Sequence, residues 1–369
     1  MSPEQIATAG QRGAAPEASR DRSLDVARGI AIICVVAGHS LRGLFAAGLV
    51  DPSQSVWAVM DRALYLLHLP VFAFATGLLM PRPVERDGRA RYLRARLSLL
   101  AYLFLLWTLI EGTAEVLTSS VKNVPVTWWQ VLSVWRPLGP LWFLPLLMLA
   151  TVVVVFLSPW RGGRLRLLAV SLTVLASVAF WGWEGEYIFT RGLPLVAWFV
   201  LGALVTFDRF ARWAARSRSW ALVGIVLTGG AVWQWAASVP WVTVPTIIDS
   251  DRGLVSVLAG VAGVLGALAA TLAVSILLGR RAVAGAVLAY PGRLSLQIYL
   301  AHVLFTAGTR VVLARMGIVD PAIHLALGTA AGIAGPLALE RVTRGVPWLF
   351  AMPLAARSSA ARAARGRHE

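Results

Sequence analysis

Apolar runs of about twenty residues recur along the whole sequence. Hydrophobic residues make up 58% of the chain and charged residues 14%, whereas soluble domains contain roughly 45–50% and 25%. A bilayer core about 30 Å thick needs around 20 apolar residues in a helix. We therefore predict an all-α integral membrane protein, a bundle of about ten transmembrane helices. The predicted spans are 24–45, 57–80, 97–117, 139–158, 166–183, 192–207, 220–238, 254–278, 294–313 and 321–339.

The distribution of basic residues predicts the orientation. A net charge of +16 is typical of nucleic-acid-binding proteins, but here the basic residues form short groups between apolar runs. Cytoplasmic loops of membrane proteins hold an excess of Lys and Arg. With both termini cytoplasmic, 26 of the 34 basic residues lie inside, and the excess alternates along the chain. We expect the protein to contact the lipid bilayer and not to bind nucleic acid. The sequence leaves its oligomeric state open.

The two ends of the chain differ from its middle. Residues 1–22 lack the apolar core of a signal peptide and predict a disordered cytoplasmic tail. Residues 23–340 form the predicted transmembrane domain, and residues 341–369 a basic cytoplasmic tail. Abundant alanine and a single lysine among 34 basic residues suggest a high-GC bacterial genome. The expected location is therefore the bacterial cytoplasmic (inner) membrane, as a multi-pass protein.

Arg28 and His39 stand at the two ends of an almost wholly apolar stretch, RGIAIICVVAGHS (28–40). Eleven helical steps return a side chain to within about 20° of its starting direction and move it about 16 Å along the axis. Arg28 is thus expected at the cytoplasmic end and His39 near mid-membrane, on the same stripe. Asp25, three residues before Arg28, can pair with it and joins these two as a catalytic candidate. Arg42 lies close to that stripe at the outer end.

This pair suits a long, anionic cosubstrate that enters from the cytoplasm. A guanidinium group matches phosphate oxygens, and a neutral imidazole accepts a proton near physiological pH. Coenzyme A carries phosphates at one end and a thioester at the end of an extended arm. Two routes remain open: His39 acts as a general base in direct transfer, or it attacks the thioester and carries the acyl group briefly.

Five sequence elements resemble the acyltransferase-3 family of integral membrane O-acyltransferases, in particular its fucose 4-O-acetylase-like branch. The family's first helix carries an arginine, ten residues and a histidine, as in LDVARGIAIICVVAGHS (24–40). Four more elements follow in the family's order, with Thr76 where the family has serine. They are LLHLPVFAFATGLLM (66–80), RYLRARLSLL (91–100), GPLWFLPLLM (139–148) and LSLQIYLAH (294–302).

The resemblance implies an acyl-CoA-dependent O-acyltransferase. Such an enzyme moves an acyl group, commonly acetyl from acetyl-CoA, to a hydroxyl of a cell-envelope carbohydrate or glycolipid, with no metal. It implies that His39 is the essential catalytic residue and that Arg28 is needed beside it. It also places Arg94, with Arg91 or Arg96, at the acyl-CoA end. The arginine group that contains them is equally typical of a solvated cytoplasmic loop.

Polar residues on other spans are candidates for the acceptor side. Tyr299 and His302 stand one turn apart, so both can face one cavity. Glu111 lies towards the outer end of the third span, and His68 lies within the second. With Arg42 they form the acceptor-side set. For each histidine, a structural hydrogen bond is the alternative.

Tryptophans cluster near the predicted outer face. An interfacial aromatic belt is the commoner reason for such a cluster, and a stacking platform for sugar rings is the alternative. The eight residues are Trp128, Trp129, Trp135, Trp181, Trp183, Trp233, Trp235 and Trp241.

A transporter or flippase for a polar envelope precursor is the main alternative function. Multiple spans with buried ionisable groups also suit a substrate path, but the sequence shows no inverted repeat. A non-catalytic scaffold leaves the stripe of Arg28 and His39 unexplained.

Overall fold

The computed structural model describes residues 22–119, 125–183, 185–247, 249 and 252–353. The predicted N-terminal tail, apart from its last residue, lies outside the described residues, as do residues 354–369 of the predicted C-terminal tail. All regular elements in the described part are helical, which confirms the all-α prediction. The α-helices are α1 (Arg22–Ala46), α2 (Ser55–Leu79), α3 (Pro81–Asp87), α4 (Arg89–Leu117), α5 (Trp128–Leu132), α6 (Phe143–Leu157), α7 (Arg164–Ala179), α8 (Val196–Val205), α9 (Phe207–Arg216), α10 (Ser219–Ser238), α11 (Leu254–Gly279), α12 (Ala282–Arg293), α13 (Ser295–Arg315) and α14 (Pro321–Val342).

Eight segments of the described part are long and apolar enough to cross a bilayer. They coincide with eight of the ten predicted spans. The other two predicted spans, 166–183 and 192–207, correspond to the shorter helices α7 and α8. With 16 residues, α7 is about 24 Å long. The ten-residue α8 ends before Thr206 and meets α9 at a bend of 70°. Together the two helices form at most one further span, the ninth, and that span is broken.

Helix α1 lies at the centre of the bundle. It packs against α2, α11, α12, α13 and α14. Its contact with α12 brings two backbones together, because a Cβ atom at Gly29 would collide with the main chain of Leu288, and one at Gly292 with that of Asp25. Small residues permit this kind of close packing in membrane bundles. The first helix is thus enclosed mainly by helices from the last third of the chain.

The connecting segments form two groups at opposite ends of the bundle. On the predicted cytoplasmic side, Arg161 Nε binds Glu85 Oε1 at 2.9 Å. On the predicted outer side, Arg136 Nη2 lies 3.2 Å from Glu186 Oε2. This grouping agrees with the alternation inferred from the charges, while the assignment of one side to the cytoplasm stays a prediction.

Candidate active site

A small cavity lies beside His39. His39 is the eighteenth of the 25 residues of α1, so it lies nearer the predicted outer end than the mid-membrane position expected from sequence. The cavity volume is about 30 Å³, space for about two water molecules. Its walls come from α1, α2, α13, the start of α6 and segments of the predicted outer side. Its polar lining includes His39, Arg42, Tyr65, Arg191, Thr246 and Tyr299.

The ring of His302 stands next to that of His39. The two ring centroids are 5.0 Å apart with planes at 48°. His302 is fully buried, and its Nδ1 lies 2.7 Å from the carbonyl oxygen of Tyr299. Because a carbonyl only accepts hydrogen bonds, Nδ1 carries the proton and Nε2 keeps a lone pair. Within the described residues Nε2 has no hydrogen-bond partner, so it is available to His39.

Tyr299 connects this pair to the opposite wall of the cavity. Its hydroxyl donates to the carbonyl oxygen of Pro140, in the 3-10 turn Gly139–Trp142. Its ring lies 5.8 Å from that of Phe143. The structure therefore brings together three predicted site residues, His39, Tyr299 and His302, that come from opposite ends of the chain.

Two guanidinium groups face the same cavity. Arg42 binds both carboxylate oxygens of Asp61, at 2.9 and 2.8 Å, and lies 3.9 Å from the ring centroid of Tyr65. Arg191 lies 5.2 Å from a ring centroid of Trp142. Arg42 is thus held by a carboxylate and by the ring of Tyr65, and Arg191 lies against the ring of Trp142.

Arg28 occupies the other end of α1. Its Nη2 donates to Ser295 Oγ at 2.9 Å, and Ser295 begins the helix that carries Tyr299 and His302. The same two helices, α1 and α13, therefore hold both ends of the predicted stripe. Asp25 is buried in the first turn of α1, and its pairing with Arg28 stays a prediction.

His68 and Glu111 differ in their relation to the cavity. His68 is buried, its Nδ1 donates to the carbonyl oxygen of Leu64, and its ring packs edge-on against Tyr65 at 4.8 Å. This favours its structural interpretation. Glu111 is only 4% exposed, and its Oε1 has no hydrogen-bond partner among the described residues. It lies on α4, which contacts the helix of Tyr299.

The arginines predicted at the acyl-CoA end lie in the first turns of α4. Arg91 and Arg94 are exposed and Arg96 is half-buried. They share the predicted cytoplasmic side with Arg28, and their binding role stays a prediction.

The tryptophans predicted near the outer face do not form one group. Trp181 and Trp233 donate hydrogen bonds to main-chain oxygens of Thr243 and Ala63, at 2.8 and 2.9 Å, so these two have a structural role. Five others are exposed and suit either the belt or the platform. They are Trp128, Trp129, Trp135, Trp235 and Trp241.

Sequence reasoning missed Asp61, Arg191 and Ser295. An acidic residue inside a predicted span usually has a polar partner, so Asp61 offered a signal. Ser295 lies within a stretch already singled out, 294–302, but nothing in its spacing indicated a contact with Arg28. Arg191 was one of eight basic residues predicted outside, and its local sequence indicates no particular contact.

The chain resembles known proteins over most of its length. The family model described as "Acyltransferase domain" matches residues 21–341. The nodulation protein NolL of Mesorhizobium japonicum is 26% identical over 173 residues, which are 46% of this chain and 44% of that protein. The match thus spans less than half of the relative's length. No solved structure matches the chain. Because the family model covers nearly all of the membrane bundle, the chain belongs to this acyltransferase family.

Proposed function

We propose that this protein transfers an acyl group, acetyl in the first instance, from cytoplasmic acyl-CoA to a hydroxyl of a carbohydrate or glycolipid at the outer side of the bacterial cytoplasmic membrane. The observation that carries the proposal is the pair of His39 and His302 beside a cavity walled by residues of the predicted outer side. The helix that holds His39 also holds Arg28, about 16 Å inward. A proton acceptor and a phosphate-binding cation thus lie about one coenzyme arm apart.

In this reaction His39 is the general base. It accepts the proton of the acceptor hydroxyl while that oxygen attacks the carbonyl carbon of the thioester. The new C–O bond forms, the C–S bond breaks, and the proton passes from His39 to the departing sulfur. The Nε2 lone pair of His302 accepts a hydrogen bond from protonated His39 and stabilises it, so His302 is a positioning residue. General-base catalysis contributes about 10²–10⁴-fold to a rate.

The negative charge that develops on the thioester oxygen needs a nearby donor or cation. Both carboxylate oxygens of Asp61 hold the guanidinium group of Arg42 at the cavity wall. Arg191 lines the cavity beside His39 and presents a guanidinium group there. We propose that Arg191 stabilises this negative charge and that the ion pair of Arg42 and Asp61 holds the cavity wall in place.

Direct transfer fits the position of His39 better than a relay. Arg191 and Thr246, from segments of the predicted outer side, form part of the cavity wall, so we place the acceptor hydroxyl on that side of the imidazole. Labelled acetyl-CoA without acceptor, followed by rapid quenching and mass spectrometry, separates the two routes. Direct transfer leaves His39 unmodified, and accumulation of acetyl on His39 shows the relay.

The proposed function is tested by acceptor-dependent release of coenzyme A. The purified protein in detergent is incubated with acetyl-CoA and extracts of envelope lipids and polysaccharides, and ester products are identified by mass. We expect His39→Ala to lower this release by about 10²–10⁴-fold. The matched control is His324→Gln, because His324 is also buried but binds the Ile318 carbonyl oxygen, at 2.7 Å, and does not line the cavity.

Two outcomes contradict the proposal. One is undiminished release by a folded His39→Ala variant. The other is the absence of any acceptor-dependent release by the wild type. Because micelles have no second compartment, turnover in detergent also distinguishes an enzyme from a transporter.

A further inference from the structure

The chain folds back after α14 and lies against α4. Residues 346–350 are here called the C-terminal segment. The Tyr102 hydroxyl donates to the carbonyl oxygen of Trp348 at 2.8 Å, and Trp107 Nε1 donates to that of Leu349 at 3.0 Å. Two side chains of α4 thus bind two consecutive main-chain carbonyls, as they would bind the amides of a peptide-like ligand.

This contact lies on α4, whose first turns carry the arginines predicted at the acyl-CoA end. Phe350 stacks on Trp107, with centroids 5.6 Å apart and planes at 28°. Trp107 is eleven residues beyond Arg96, about 16 Å along the helix, and only 1% exposed. Glu111 follows one turn later on the same face, and α4 contacts both α13, which carries Tyr299, and the 3-10 turn Gly139–Trp142 of the cavity wall. The site that Tyr102 and Trp107 form with the C-terminal segment is here called the groove, and it lies on the helix that also contacts the cavity wall.

The donors in this groove match the chemistry of the acyl carrier. The arm of coenzyme A contains two amides joined by a β-alanine unit, which is one methylene longer than a peptide unit. Amide carbonyls of that arm present the same acceptors as the C-terminal segment. Assuming the function proposed above, we propose that Tyr102 and Trp107 bind the two amides of the donor's arm. The C-terminal segment occupies this groove until the donor displaces it.

The first test measures the affinity for coenzyme A by calorimetry with the full-length protein in detergent. Phe350→Ala removes the aromatic stack that holds the segment, so the dissociation constant should fall by about 3- to 10-fold. The control is Trp348→Ala in the same segment, because this side chain is 46% exposed; its affinity should stay within about twofold of the wild type. Phe350→Leu, which keeps an apolar side chain without a ring, replaces Phe350→Ala if that variant does not fold.

A second variant separates displacement from a structural effect. Tyr102→Phe removes a hydrogen-bond donor that the C-terminal segment and the coenzyme would each use. As a single change it weakens both interactions, so the affinity for coenzyme A should change little. In the Phe350→Ala background the segment no longer competes, and the same change should weaken binding by about 3- to 10-fold. Equal effects of Tyr102→Phe in the two backgrounds contradict the competition.

Hydrogen exchange tests displacement without any variant. The amide of Ala351 donates to the carbonyl oxygen of Pro347 at 2.8 Å, and this hydrogen bond should open when the segment leaves. Saturation with coenzyme A should therefore speed exchange at residues 346–351. Unchanged or slower exchange overturns the inference, as does a folded Phe350→Ala variant whose affinity equals or falls below that of the wild type. If neither the wild type nor any variant binds coenzyme A, the proposed function fails as well. If the wild type binds coenzyme A but the variants and hydrogen exchange give the contradicting results above, only the inference fails.

Discussion

A single carbonyl oxygen determines what His302 can do. Because Nδ1 donates to the main chain of Tyr299, the opposite nitrogen is left as an acceptor. In many hydrolases a carboxylate holds this position behind the catalytic histidine. Here the ring of His302 lies 5.0 Å from that of His39, centroid to centroid. In the mechanism we propose, its lone pair takes the place of the carboxylate inside an apolar bundle, where a second charge is costly to bury.

Removal of this lone pair should lower the turnover number more than it changes substrate binding. We expect His302→Ala to reduce kcat by about 10- to 100-fold, within the range of a lost buried hydrogen bond to a charged group, while KM for acetyl-CoA changes little. His302→Gln offers an amide oxygen near the former Nε2 position and should restore part of kcat. Steady-state kinetics of the three proteins check this. A KM effect without a kcat effect, or no rescue by glutamine, contradicts the positioning role.

The sequence predicted some of these residues and not others. Arg28 and His39 share one helix, so their spacing alone determined their common stripe. The contact of His39 with His302 joins residues 263 positions apart, and no local pattern specifies which buried histidines will meet. Arg191 lies in a short connection whose path depends on the packing of α7 and α8, so its approach to the cavity required the three-dimensional structure.

At the scale of helices, the crossing of α1 and α12 positions the stripe. A side chain at Gly29 or at Gly292 would push the two backbones apart. Arg28 lies next to Gly29 in the chain, so such a shift would also move its guanidinium group away from Ser295. The close approach is therefore a condition for the contact between α1 and α13.

Even one added methyl group at this crossing should destabilise the protein. Gly29→Ala should lower the free energy of unfolding by about 1–3 kcal/mol, as expected for overpacking, and should lower the melting temperature in detergent. Gly308→Ala is the matched control, because a Cβ atom at Gly308 meets nothing within 4 Å and alanine favours the helix. Thermal unfolding of both variants checks this, and equal stability of the two would argue against a tight crossing.

Apolar length predicted eight spans because burial in lipid requires an uninterrupted helix. It was less informative for α7 and α8, which end where the backbone leaves the helical region. Thr206 adopts a φ of 63° and Gly182 a φ of 70°, conformations that a count of apolar residues does not reveal. The buried Trp181, bonded to the Thr243 carbonyl oxygen, draws the chain after α7 into the bundle.

At the scale of the whole molecule, the predicted orientation assigns opposite chemistry to the two ends of the bundle. The donor's phosphates would meet Arg28 and the arginines of α4 at one end. The acceptor would meet Arg42 and Arg191 at the other. This arrangement requires that the connection between α1 and α2 and the start of α4 lie on opposite sides of the membrane.

Cysteine labelling checks this orientation. Ser53 and Ala90 are both exposed, and the single native cysteine is removed as Cys34→Ala. In intact spheroplasts a membrane-impermeant maleimide should label Ser53→Cys, and should label Ala90→Cys only after permeabilisation. The reverse pattern contradicts the orientation, and labelling of both positions in intact spheroplasts contradicts the alternation of the loops.

The central place of α1 also has a consequence for biosynthesis. Arg28 emerges from the ribosome 267 residues before Ser295, its hydrogen-bond partner, a delay on the order of tens of seconds. During that interval the first helix waits without the helices that will surround it. Its polar stripe must then be accommodated by lipid headgroups, by water or by the insertion machinery. The proposed reaction centre therefore comes together only after Tyr299 and His302 have been synthesised. A chain interrupted before them carries His39 without the groups that surround it.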